Sequence, residues 1–196
     1  MAAAESAIDP PDAQLVARAQ AGDERAFEQL VRRHLRAAHA VATAVLGDPS
    51  EAEDVCQDAF LAALRKIEQC DPAEKFASWL MAIVRNRAID ARRRRTVRAA
   101  QPLDEELAEA THDASNPLRD AERAELRAML ERAVASLSPV QREVIVLHDV
   151  EGWKHAEIGR LLGLAESTVR VHLFHARRLL RRRLAPMLDR STEPSR

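Results

Sequence analysis

KHAEIGRLLGLAESTVRVHLFHAR, residues 154–177, decides how this chain is read. Ala156, Ile158, Leu161 and Leu162 recur at helical spacing and form one apolar stripe. Gly163 follows where a sharp turn is needed, in a backbone conformation that a side chain makes costly. Leu164 can plug the corner. Ser167 and Thr168 open a second helix whose inward face is Val169, Leu173 and Ala176, while Arg170, His172, His175, Arg177 and Arg178 fall on or near the outward side. The pattern predicts a helix-turn-helix with a basic second helix, a shape suited to the DNA major groove. Helix–glycine–helix corners also occur in all-helical proteins with no DNA role, so the rest of the chain has to decide.

Composition narrows the choice. The chain has 196 residues, enough for one ordinary domain or two small ones, with five glycines and no tyrosine. Apolar spacing is helical almost throughout, which predicts an all-α protein. The net charge of −1 is unusual for a nucleic-acid binder, but the charges are segregated. Residues 79–98 carry Arg85, Arg87, Arg92, Arg93, Arg94, Arg95 and Arg98 against Asp90, and residues 154–184 are similarly basic. Residues 1–58 and 104–131 are acidic. Two basic blocks between acidic ones suggest two nucleic-acid surfaces and acidic surfaces for a protein partner. Cys56 and Cys70 lack metal-ligand spacing and read as reduced thiols, buried or idle rather than redox-active. No stretch is long and apolar enough for a membrane span, and the N-terminus lacks a signal pattern, so the expectation is a cytoplasmic, soluble chain without membrane insertion.

The organisation reads as two small helical domains joined by a flexible linker. Residues 1–10 form a loose tail. A first domain, 11–98, holds four helices: Pro11 to about Gln20, then Asp23 to Leu46, Ser50 to Ile67, and Phe76 into the Arg92–Arg95 run. Phe27, Leu30, Val31, Leu35, Ala38, Val41 and Val45 are expected inward on the second, and Val55, Ala59, Phe60 and Leu64 on the third. Gly47-Asp48-Pro49 is the turn between them. Residues 99–117 are the acidic linker, within which Asp104–Ala110 could form a short surface helix. The second domain, 118–186, opens with a helix carrying Leu126, Leu130 and Val134. Ser138 and Pro139 start the next, which carries Val144, Ile145 and Leu147, and Gly152 ends it. The last helix reaches Arg181–Leu184, with Pro186 as its limit. Phe76, Trp79, Leu80 and Ile83 read as a packing stripe, which places Trp79 in the core rather than in a base-stacking site. Trp153 is expected to cover the base of the helix-turn-helix.

Asp54, Gln57 and Asp58 share one face of the third helix at i, i+3 and i+4. Carboxylates beside an amide there can pair with cations of a partner helix, or form an ordinary solvated face. A divalent-metal site is the weaker alternative, since no His or further ligand converges. Asn86, Arg87, Asp90, Arg93 and Arg94 lie on the fourth helix. Its amide and carboxylate can bond the edges of unpaired bases while the arginines hold phosphates. There is no nucleophile–base pair, metal cluster or glycine-rich phosphate loop, so no catalytic residue, metal or cofactor is assigned.

EAEDVCQDAFLAALRKI at 51–67, FASWLMAIVRNRAIDARRRR at 76–95 and LSPVQREVIVLHDVEGWKHAEIGRLLGLAESTVRVHLFHARRLLRRRL at 137–184 together resemble the extracytoplasmic-function sigma factors of bacterial RNA polymerase. The resemblance covers nearly the whole chain outside the tails and linker, with three motifs in the family's order. It implies that Asp54, Gln57 and Asp58 contact the core polymerase clamp. It implies that Asn86, Arg87, Asp90, Arg93 and Arg94 meet the minus-ten element, and that the loop Glu68–Lys75 receives a flipped base. It implies that Ser167, Thr168, Arg170, Val171, Phe174, His175 and Arg177 meet the minus-thirty-five element, on a domain that also docks on the polymerase flap. His172 and His175 stand where relatives often carry Arg or Ser. Leu64 replaces a common aromatic, and Ala77 and Ala82 replace larger polar residues. The partners implied are core RNA polymerase, promoter DNA and an anti-sigma factor. The competing readings are a polymerase-independent helix-turn-helix regulator and a metal-dependent nuclease built on Asp54 and Asp58.

Overall fold

The computed structural model describes residues 9–72, 75–99 and 117–190. Residues 100–116, which hold almost all of the expected linker and its Asp104–Ala110 helix, lie outside the described residues, as do residues 1–8 of the tail. Every regular element among the described residues is helical. The chain divides into two compact units, and the division between Ala91 and Arg92 falls inside a helix.

In the first unit, α1 (Asp12–Gln20) packs on α2 (Glu24–Leu46), and α2 packs on α3 (Pro49–Arg65). Asp23 caps α2 by accepting from the backbone N–H groups of Arg25 and Ala26. Gly47 closes it with φ +77°, a left-handed conformation that glycine adopts without steric cost. Asp48 then caps α3, with Pro49 in its first turn. α3 ends at Arg65, earlier than the Ile67 expected, because the chain tightens into a 3₁₀ turn at Ile67–Gln69. α4 (Phe76–Ala99) buries Phe76, Leu80, Met81, Val84 and Ala88. Leu15, Leu30, Leu80 and Met81 are almost wholly buried, each contributing about 1.5–3 kcal/mol relative to exposure.

Two positions expected inward are not. Leu35 and Leu64 are 49% and 46% exposed. The buried line of α2 runs through Leu30, Ala38, Val41 and Val45, and that of α3 through Ala52, Val55, Ala59 and Ala63. Leu35 and Leu64 stand at the margins of those lines. In the packing stripe of α4, Phe76 and Leu80 are buried, whereas Trp79 and Ile83 are half-buried. Trp79 rests on Phe76 with ring centroids 5.8 Å apart.

The second unit holds α5 (Pro117–Ala135), α6 (Pro139–Ile145), a π turn (Val146–Val150), α7 (His155–Leu162) and α8 (Glu166–Arg190). Ser138 and Gln141 form a reciprocal capping box at the start of α6. α8 packs against α5, α6 and α7. Val144, Leu147, Ile158, Val169, Leu173 and Ala176 form the core. Leu126, Leu130 and Val134 stay about two-fifths exposed on α5, while Ala133 and Leu137 are buried. Pro186 does not limit the last helix, which runs on to Arg190. A proline so near the end of a 25-residue helix removes one ladder hydrogen bond and leaves the preceding turns intact.

Candidate polymerase and DNA interfaces

On α3, the side that buries Val55, Cys56 and Ala59 leaves Asp54, Gln57 and Asp58 exposed together. Gln57 also lines an apolar groove of about 850 Å³ between α2 and α3, with Phe27, Leu35, Phe60, Leu61 and Leu64 as its walls. The acidic–polar face expected from the sequence thus adjoins an apolar groove that was not expected, made partly of the leucines read as core. Cys56 sits at the bottom of this groove. Burial, with a smaller push from the Glu53 charge, raises its thiol to about 11, so it is protonated and unreactive at neutral pH. Cys70 is also buried.

α4 presents Asn86, Asp90, Arg93 and Arg94 on its exposed side, away from Leu80, Val84 and Ala88. Arg87 is half-buried and its guanidinium lies 3.9 Å from the Asp58 carboxylate. This pair joins the acidic set of α3 to the basic set of α4. Of the loop Glu68–Lys75, Ala73 and Glu74 lie outside the described residues.

In the second unit, Val169, Leu173 and Ala176 are buried as expected, and Arg170, His175, Arg177 and Arg178 are exposed. Ser167 is exposed and Thr168 half-buried. Val171 and Phe174 are 53% and 61% exposed, an apolar pair on the outer face. The Phe174 ring meets His175 edge-on at 5.5 Å. Arg170, Arg177, Arg178 and Arg181 wall a groove of about 630 Å³ with His155. Gly163 turns the corner at φ +69°, and Glu157 accepts from the Lys154 N–H at the start of α7.

Three features of this surface were not legible in the sequence. Arg177 donates to both oxygens of Asp149, at 2.9 Å through Nε, and so ties α8 to the π turn. The Arg177 hydrogen bonds, more than the one from His148, hold the Asp149 carboxyl below its ordinary range. His148 also stacks on His155 with centroids 4.7 Å apart. Gly159, buried on α7, faces the Leu164 carbonyl so closely that a Cβ would lie 2.7 Å from its oxygen. The only sequence signal for these contacts is residue type, since their partners are far away in the chain or across a turn.

Residues 30–98 match the family model for Sigma-70 region 2, and residues 127–180 match that for Sigma-70, region 4. The ECF RNA polymerase sigma factor SigM of Mycobacterium tuberculosis is 35% identical over 173 residues, 88% of this chain and 84% of that protein. The RNA polymerase sigma factor CnrH of Cupriavidus metallidurans is 36% identical over 196 residues, 95% of this chain and all of that one. The solved structure of CnrH in complex with the cytosolic domain of CnrY superimposes with a TM-score of 0.64, at 30% identity, covering 92% of this chain and 99% of CnrH. The chain therefore belongs to the ECF sigma factors, the subunits that bind RNA polymerase and promoter DNA to start transcription. This family is not a class of enzymes. Membership favours the sigma factor over the polymerase-independent regulator. Among the described residues, no helix is long and apolar enough to cross a membrane.

Proposed function

We propose that the first domain, 11–98, docks on the polymerase clamp through Asp54, Gln57 and Asp58 and opens the minus-ten element through α4. In this reading Asn86 and Asp90 bond unpaired base edges, while Arg87, Arg93 and Arg94 neutralise phosphate. The loop between α3 and α4 receives an extruded base, which offsets part of the cost of unstacking. The second domain, 118–186, reads the minus-thirty-five element with Ser167, Thr168, Arg170, Val171, Phe174, His175 and Arg177. The protein works in the cytoplasm, carries no active site of its own and is regulated by an anti-sigma protein. CnrH was solved in complex with the cytosolic domain of CnrY, and the apolar α2–α3 groove is the surface of this chain that we assign to such an inhibitor.

The observation that carries the clamp assignment is the shared exposure of Asp54, Gln57 and Asp58 beside the apolar groove. Acidic groups give such an interface steering and register, and apolar walls give it affinity. The test is co-elution of the chain with bacterial core RNA polymerase on a sizing column. The wild-type chain is expected to form a one-to-one complex. Replacing Asp54 and Asp58 by Ala weakens it by about tenfold or more, the loss of two charge-assisted contacts, and leaves the helical circular dichroism unchanged. Undiminished affinity in a folded double variant would reject the clamp assignment.

A further inference from the structure

Gln20 is the last residue of α1, and its side chain reaches across the fold to the turn that follows α3. Its amide nitrogen donates to the carbonyl of Ile67 at 2.9 Å and to that of Cys70 at 2.8 Å, using both of its hydrogens. These carbonyls bracket the 3₁₀ turn Ile67–Gln69, whose own Cys70 N–H already donates to Ile67 at 3.0 Å. The side chains of Ile67 and Cys70 are buried and fix the turn to the core. Glu68, Gln69 and Asp71 face outward. The far foot of the same loop is braced from the same helix. Asp12 of α1 bonds His34 Nε2 at 2.8 Å, and the His34 ring packs on Phe76, the first residue of α4, at 5.4 Å.

Burial of the Ile67 and Cys70 side chains anchors the two ends of the turn. Surface loops ordinarily leave such carbonyls to water. A tertiary amide that satisfies both selects one path for the intervening backbone, and with it one arrangement of the outward side chains. A receptor for an extruded base needs that preorganisation, because a loop that must order on binding gives back part of the affinity. Gln20 and Asp12 also precede residues 30–98, the part matched to region 2.

We propose that Gln20 is a positioning residue for promoter opening: its amide holds the Ile67–Cys70 turn in the shape in which its outward residues Glu68, Gln69 and Asp71 meet a captured base. This rests on the base-capturing role given to the α3–α4 loop above. The test uses full-length chain bound to core polymerase and a pool of fork-junction DNA whose downstream single strand is randomised, with sequencing of the bound fraction. Wild-type holoenzyme is expected to prefer particular bases at one or two adjacent single-stranded positions. Gln20→Leu removes both donors and is expected to flatten that preference roughly tenfold, as the loss of two neutral hydrogen bonds allows. Affinity for core polymerase and for the duplex upstream element stays within about twofold of wild type, because neither surface includes the turn. Gln20→Lys keeps N–H donors at this position and is expected to retain the preference, which a purely steric role would not predict. An unchanged base preference in folded Gln20→Leu overturns the proposal, as does equal loss in the Leu and Lys variants. If Gln20→Leu does not fold, Gln20→Met, which keeps the length of the side chain and lacks N–H donors, is judged on the same terms. Absence of any single-strand preference in the wild type overturns the base-capturing role itself, and the proposal with it.

Discussion

Arg170 and Arg177 lie two turns apart on α8 and do different work. Arg170 pairs with Glu166 on its own helix, an exposed i,i+4 contact of little structural weight. Arg177 grips Asp149 on another element with two hydrogen bonds, so its fork is engaged before any DNA arrives. The Asp149 carboxyl is held below its unfolded value. A depressed carboxylate stabilises the fold at pH values above its unfolded range, and that contribution is lost as pH falls through the folded value. The window for loss therefore lies below about pH 4, where free Asp begins to protonate. Asp149→Asn is expected to lower stability by about 1 kcal/mol at neutral pH, the upper end for a half-exposed pair, and the gap to wild type should narrow at pH 3. Urea unfolding at the two pH values checks this. Arg170→Ala is expected to leave stability alone while weakening binding of upstream promoter duplex. If Arg177→Ala weakens the same binding without lowering stability, Arg177 is a DNA contact first and a brace second.

At the scale of elements, the helix-turn-helix was readable because its signals are local. Apolar spacing set both helices, and Gly163 supplied a positive φ that a single residue type announces. Asp23, Asp48 and Ser138 mark helix starts in the same way, since a cap is decided within four residues. What could not be read depends on partners distant in sequence. Leu35 and Leu64 fit the apolar period, yet neighbouring helices leave them at a groove edge. Asp149 looks like an ordinary surface acid until α8 brings Arg177 beside it. Gly159 looks like a tolerated helical glycine, but its Cα faces the Leu164 carbonyl across the corner. The two glycines therefore predict different outcomes on substitution by Ala. Gly163→Ala has open space and suffers only backbone strain, about 1 kcal/mol. Gly159→Ala places a methyl against backbone that cannot move aside without opening the corner, and is expected to cost about 1–3 kcal/mol. Thermal melts rank the pair. Upstream-duplex binding should fail first in Gly159→Ala, while core polymerase affinity, assigned above to α3 in the proposed function, is expected to persist. A larger loss of stability in Gly163→Ala would mean that the corner yields more readily than its geometry implies.

At the scale of the whole molecule, a net charge of −1 coexists with DNA binding because the arginines are concentrated in two segments, 79–98 and 154–184, and the excess of acids lies elsewhere. Asp54 and Asp58 are exposed on α3, while exposed arginines cluster on α4 and α8, so the proposed function gives the acids and the arginines different partners. Averaging over the chain erases this, whereas reading the charge by segment preserves it. The separation makes a quantitative prediction for salt. Each phosphate neutralised releases condensed counterions, so the slope of log K against log salt changes by about 0.9 per contact. Removing two cations of the α8 groove, Arg178 and Arg181, is expected to flatten the slope for upstream duplex by about 1.8 if both touch phosphate. The preferred upstream sequence should not change, because phosphate contacts position the helix without reading bases. Asp54→Ala with Asp58→Ala should do the reverse, leaving the DNA slope of assembled holoenzyme unchanged while weakening its assembly from core polymerase. Titration of labelled upstream duplex at several salt concentrations separates the two cases. A salt slope unchanged by the loss of both arginines would place them at a protein interface, where the flap of the polymerase becomes their partner.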